Sequence, residues 1–262
     1  MKPALILDVI FAPRVSVRVY GLAAVALGLV GLVWGDFAAV WQPVPKELPG
    51  RTVLAYAVAI AFVAAGLAIQ WRRSAGLGAL ALTALYTLGV VLLHVPRIVA
   101  HPAAFVTWSG TAEQLALVAG GLVAYAYCTP GEAARAERLL KIGRLIFGVC
   151  LIAFGLAHLV YLAPTAEFVP AWLPPGQTFW AYATAAGHFA AGVAILSGIL
   201  ARTAARLLTA MFVVFGILVH APTILIEPHT HFNWAANAIN FALIASAWVI
   251  AGSMVPPNRS AP

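Results

Sequence analysis

Charge is scarce in this sequence: 9% of its 262 residues are Asp, Glu, Lys or Arg, against roughly 25% in ordinary soluble domains. Hydrophobic residues make up 63%. A soluble core does not hide that much apolar surface, so lipid is the expected solvent. Cysteine is scarcer still. Cys128 and Cys150 are the two present, and no CxxC occurs, which argues against a disulfide framework or a dithiol redox motif. No flavin or nicotinamide fingerprint is found. No short apolar core with a small-residue cleavage site opens the chain, so the first membrane helix is expected to act as the targeting signal. The net charge of +7 does not point to nucleic acid, because the basic residues stand singly or in pairs beside apolar runs.

What remains is long apolar runs. A span needs roughly 20 apolar residues, and eight such runs are expected, near 15–34, 53–71, 75–94, 109–127, 143–162, 178–199, 204–222 and 234–253. Proline and glycine punctuate them in "WQPVPKELPG", "HVPRIVAHP", "CTPGEAARAE", "APTAEFVPAWLPPG", "HAPTILIEPH" and "MVPPN". In His94-x-Pro96 and His220-x-Pro222 the proline is expected to help end its span. Alternate connections collect 12 of the 15 basic residues: Lys2, Arg14, Arg18, Arg72, Arg73, Arg135, Arg138, Lys141, Arg144, Arg202, Arg206 and Arg259. The opposite side keeps Lys46, Arg51 and Arg97. The positive-inside rule then predicts a membrane protein with both termini cytoplasmic. Most tryptophans fall near the outer boundary, as in an aromatic belt.

Shifted by 126 residues, the chain matches itself. "PGRTVLAYAVAIAFVAAGLAI" (49–69) falls on "PGQTFWAYATAAGHFAAGVAI" (175–195), with 12 of 21 positions identical. His94-x-Pro96 falls on His220-x-Pro222, Trp108 on Trp234, and Gln114 on Asn240. The predicted fold is therefore all-α: eight transmembrane helices in two four-helix bundles, over 1–130 and 131–262. Each copy has an even number of spans, so the copies are parallel, related by an axis along the membrane normal. Recurrent small residues, the glycines of 21–35 and "AAG" in both copies, favour close helix packing.

"FVPAWLPPGQTFWAYATAAGHFAAGVAILSGI", followed by a basic turn and "MFVVFGILVHAP", resembles the DoxX-like bacterial membrane proteins, here with the four-helix unit duplicated. The likeness is fuller in the second half. It implies a four-helix membrane unit. Among such proteins are a subunit of thiosulfate:quinone oxidoreductase and components of redox-stress assemblies, so a redox-associated role and a membrane or periplasmic redox partner are implied. The thiol chemistry of one related branch does not carry over, because paired cysteines are lacking.

The two halves differ in their polar residues. Phe62 stands where the second copy has His188, and near Gly31 the second copy has His158. His188 is the deep one; His158 and His220 lie at outer helix ends. Polar faces turn inward, away from lipid. The second bundle is thus expected to gather His158, His188 and His220 as reactive groups. Thr184, Asn237, Asn240, Tyr182 and Trp234 would surround a bound molecule, with Trp180 and Phe189 adding apolar wall. A buried imidazole can hydrogen-bond a quinone oxygen and exchange its proton. In "IEPHTHFNW", Glu227, His229 and His231 have a spacing suited to a transition metal. Haem ligation through His158 and His220 is another reading. So are a small-solute transporter and a non-enzymatic scaffold or accessory subunit.

Overall fold

The computed structural model describes residues 3–129, 131 and 133–254. The terminal basic residues Lys2 and Arg259 lie outside the described residues. A short α1 (Pro3–Ile10) leads into α2 (Pro13–Trp34), then α3 (Arg51–Ala68), α4 (Ala75–Gly89), α5 (Val95–Ala100) and α6 (Phe105–Cys128). The second half runs through α7 (Ala133–Val160), α8 (Leu162–Glu167), α9 (Gln177–Ser197), α10 (Ala201–Phe215), α11 (Ala221–Ile226) and α12 (His231–Gly252). No strand occurs among the described residues. Among the described residues, seven helical rods are long and apolar enough to cross a membrane: α2, α3, Ala75–Ala100, α7, α9, Ala201–Ile226 and α12. The other long helix, α6, carries Glu113 and Gln114 and is largely enclosed by its neighbours.

The rods form a closed ring. Each of α2, α3, α4, α6, α7, α9, α10 and α12 packs on the next, and α12 returns to α2. α6 and α12 also touch one another across the centre. Small residues set the approach distances. A Cβ added to Gly66 of α3 would fall 2.4 Å from the Gly21 carbonyl oxygen of α2. In the second half one added to Gly192 of α9 would fall 3.0 Å from the Gly148 carbonyl oxygen of α7. At the centre, Gly120 of α6 leaves room for Ser246 of α12. With lipid outside as apolar as the core, such close backbone packing replaces the hydrophobic drive of a soluble protein. Large apolar side chains face outward along the rods, among them Leu77, Val193, Leu207, Ile217 and Leu225.

The expectation that Pro96 and Pro222 help end their spans is not met. Both rods run on, to Ala100 and Ile226. Ahead of each proline the helix widens into a π-turn, Val90–His94 and Gly216–His220, offset by the same 126 residues as the sequence repeat. There the Val95 amide bonds the Val90 carbonyl and the Ala221 amide bonds the Gly216 carbonyl, each five residues back. A proline ring clashes with the carbonyl four residues earlier in a regular helix. The wider turn accommodates the ring, and the rod continues past it.

The two ends of the rods are tied differently. At the end holding α1, Asp8 pairs with Arg202 and with Arg206, the latter at 2.7 Å. Arg206 also lies over the Phe11 ring, and Trp248 donates to the Ile10 carbonyl at 2.9 Å. At the other end three helices begin with one device. The indole N–H groups of Trp108, Trp180 and Trp234 each bond a proline carbonyl six residues back, on Pro102, Pro174 and Pro228. These tryptophans sit at the boundary positions expected of an aromatic belt, but each also fixes a helix start.

Candidate functional site

Near the tryptophan-tied end, a cavity of about 380 Å³ opens among α6, α7, α9, α10 and α12. Its formation follows from the residue at one helical position. His188 on α9 is 2% exposed and surrounded by Phe154, Phe212 and Phe215, at ring separations of 5.8, 5.6 and 6.2 Å. The corresponding region of the first half is filled. Phe62 packs on Tyr86 at 5.1 Å, Tyr86 on Tyr20 at 6.4 Å, and the Tyr20 hydroxyl donates to the Leu117 carbonyl at 2.8 Å. Gly31, near the counterpart of His158, abuts Ala59, so that position is closed as well.

His158 from α7 and His188 from α9 approach to 4.7 Å between ring centres. Each ring is held by its own helix. His158 Nδ1 lies 2.9 Å from the Phe154 carbonyl, and His188 Nδ1 lies 2.8 Å from the Thr184 carbonyl. A carbonyl only accepts, so Nδ1 carries a proton in both rings, and in the neutral imidazole Nε2 keeps its lone pair. Neither Nε2 has a hydrogen-bond partner among the described residues. His220, at the end of the second π-turn, lines the same cavity, as do Thr184 and Asn240. The Thr184 hydroxyl is turned back onto the Trp180 carbonyl at 2.8 Å.

Other expected residues lie elsewhere. Tyr182 is 52% exposed on the outer face of α9. Trp180 is taken up by its bond to Pro174, and Phe189 packs over Gly155. Asn237 bonds the carbonyls of His220 and Asn233 at 2.7 and 2.9 Å. It lines, with Trp234 and His229, a separate groove between α2 and α12. A helix turns by about 100° per residue, so Asn237 and Asn240 are about 60° apart on α12, enough for Asn240 to line the cavity and Asn237 the neighbouring groove. Tyr182, two residues from Thr184, points nearly the opposite way.

Glu227, His229 and His231 are not drawn together. The Thr230 hydroxyl bonds Glu227 at 3.2 Å, His229 lines the α2–α12 groove, and His231 stacks on Trp34 at 5.1 Å. Among the described residues, no group of three His, Cys, Asp or Glu side chains is placed to hold a metal ion. His158 and His220 share a cavity wall, but nothing places them as an axial pair.

The cavity also has walls that the sequence reading left out. Glu113 of α6 faces it, together with Val106 and Ser109. Trp41, from the connection between α2 and α3, folds over and donates its indole N–H to Glu113 Oε2. The Trp41 carbonyl in turn meets His94 Nε2 at 3.1 Å, and the ring stacks on Phe232 at 5.4 Å. Tyr161, Thr165, Phe168 and Val169, in and around α8, edge the mouth. The site is therefore not confined to the second half. Glu113 is visible in the sequence as an ionisable residue near a span start, but Trp41 carries no signal beyond its place in a loop.

Fold and cavity together define a polytopic helical membrane protein with a mostly apolar pocket that carries a few polar groups. The family model described as DoxX matches residues 139–221, most of α7, all of α8 and α9, and α10 through its π-turn. Over that segment the protein is DoxX-like, as its motifs imply, and the matched helices are those bearing His158, His188 and His220. Neither the curated proteins nor the solved structures contain a match to the chain.

Proposed function

We propose that the protein is a redox-associated membrane component whose cavity holds a quinone-type headgroup. One observation carries this reading. Two imidazoles from separate helices stand 4.7 Å apart in an aromatic pocket of about 380 Å³, with a carboxyl group on a further helix of the wall. Ligand pockets are mostly apolar, of roughly 300–1,000 Å³, with a few polar groups that fix orientation. Phe154, Phe212 and Phe215 suit the faces of a flat ring, and the imidazoles suit its oxygens. Ionisable groups inside a bilayer are costly and mark function by default. The chain offers no flavin or nicotinamide motif, so the second redox participant is a partner protein or an outer substrate.

We also infer that the chain is a duplication of a four-helix unit, over 1–130 and 131–262. The repeated π-turns and the repeated glycine contacts support this. The placement of basic residues supports an inner-membrane location with cytoplasmic termini and a cavity nearer the periplasm. The test is extraction of total quinone, oxidised and reduced forms together, from protein purified in mild detergent. Wild type is expected to carry it, and His188→Phe, which copies the residue of the first half, is expected to lose it. Absence of quinone from the wild type, or its retention in the variant at equal stoichiometry, would overturn the reading.

A further inference from the structure

We infer that this cavity selects the reduced, hydroxyl-bearing form of its ring ligand, a hydroquinone or related phenol, over the oxidised dicarbonyl form. The inference rests on the quinone-headgroup reading and adds the redox state. It follows from where the protons of the deep wall are committed. The Nδ1–H groups of His158 and His188 are spent on the Phe154 and Thr184 carbonyls. Each ring therefore offers the cavity an Nε2 lone pair, which accepts and does not donate. A quinone carbonyl is also only an acceptor, so it gains nothing from either nitrogen. A hydroquinone O–H donates to them.

Two wall groups can donate, the His220 ring, which has no bond of its own among the described residues, and the Asn240 amide, which bonds the Phe212 carbonyl at 3.5 Å. A hydroquinone oxygen accepts from these as a quinone oxygen does, so they do not offset the preference set by the His158 and His188 pair. The other polar groups favour the hydroxyl form. The Thr184 hydroxyl proton is directed to the Trp180 carbonyl, and that of Ser109 to the Val106 carbonyl at 3.2 Å. The indole N–H of Trp41 is used on Glu113, whose carboxyl lines the cavity and is a further acceptor when ionised and a donor when protonated. Hydroxyls with no bond of their own, on Tyr161 and Thr165, sit at the mouth and serve either role. Making an imidazole donate at Nε2 would require a second ring proton. That places a cation in a pocket where His188 is 2% exposed beside another histidine, a costly step in a low-dielectric site. The ring is thus held as an acceptor by its own helix.

The experiment compares three ligands of one shape on the intact protein in nanodiscs, under anaerobic conditions. They are a short-tailed hydroquinone, the matching quinone, and the hydroquinone dimethyl ether. Binding is followed by quenching of tryptophan fluorescence and checked by calorimetry. The hydroquinone is expected to bind about tenfold or more tighter than the quinone, the equivalent of roughly one net hydrogen bond. The ether, which keeps the ring but has no O–H, is expected to fall with the quinone or below it. His188→Phe is expected to remove the preference. Equal or tighter binding of the quinone would overturn this inference while leaving the headgroup reading intact. Failure of all three to bind would overturn both.

Discussion

Exchanging one residue between the halves tests why one interior is filled and the other hollow. In Phe62→His an imidazole enters a core where Phe62 is 3% exposed and packs on Tyr86. Its Nδ1 can bond the carbonyl of Val58 four residues back, as His188 uses Thr184. Its Nε2 then lies among aromatic rings with no cavity beside it. A buried polar atom without a partner costs about 1–3 kcal/mol. The opposite change, His188→Phe, removes one side-chain bond, a net loss of about 0.5–1.5 kcal/mol. It leaves no orphan, since the Thr184 carbonyl keeps its helical partner, and the new ring fills space beside Phe154 and Phe212. Phe62→His is therefore expected to be the less stable variant by about 1 kcal/mol or more, roughly a fivefold larger unfolded fraction. Unfolding can be followed by maleimide labelling of Cys150, which is 2% exposed when folded. Equal losses, or a larger loss for His188→Phe, would refute the reasoning.

Other outcomes follow from the same geometry. Tyr182→Ala and Trp234→Ala, both outside the cavity, are expected to change headgroup binding by less than about twofold; a larger loss in a binding titration would show that the pocket extends to them. Asn237→Ala removes one of two side-chain donors to the His220 carbonyl beside the π-turn, the other being the Thr223 hydroxyl at 2.7 Å. A cost of about 0.5–1.5 kcal/mol is expected in the same labelling assay, and no change would show that the Thr223 hydroxyl suffices. Gly66→Val forces side-chain atoms onto the Gly21 carbonyl. A loss of about 1–3 kcal/mol or failure to fold is expected, whereas wild-type stability would mean α2 and α3 separate freely.

At the basic end, a hydrogen bond from Arg206, with help from Arg202, holds the Asp8 carboxyl below its ordinary value of 3.8. The unfolded carboxyl binds its proton first as pH falls. The docking of α1 that Asp8 supports is thus fully present above about pH 4 and lost as pH falls through the lower folded value. Hydrogen exchange in α1 should rise only in that acidic window, and at all pH in Asp8→Asn. Slow exchange in the variant at pH 7 would show that Trp248 and Phe11 hold α1 without the carboxylate.

The helices were legible because bilayer spans need long apolar runs. His158 and His220 were legible because helix ends gather at one level, and His188, deeper on α9, because a polar group in a span turns inward; the three line one cavity for those reasons. The angular placement of residues on a given helix was less legible, because which face points inward depends on neighbours. Asn237 and Tyr182 were assigned to the pocket by proximity in sequence, and the turn of the helix carries them away from it. Glu113 and Trp41 were missed as wall residues because each half was read as enclosing its own interior. The ring arrangement, with α6 packed against α7, makes that separation false. The loop fold that brings Trp41 onto Glu113 has no periodic signal to read.

Because α6 closes the pocket, neither half of this chain can make the pocket alone. On the duplication proposed above, an ancestor with a single four-helix unit would have needed a sister molecule to supply the missing wall, and would have carried two equal chambers. Fusion of the copies would remove that equality: one chamber could be plugged with aromatic rings while a carboxylate from the plugged copy still served the other.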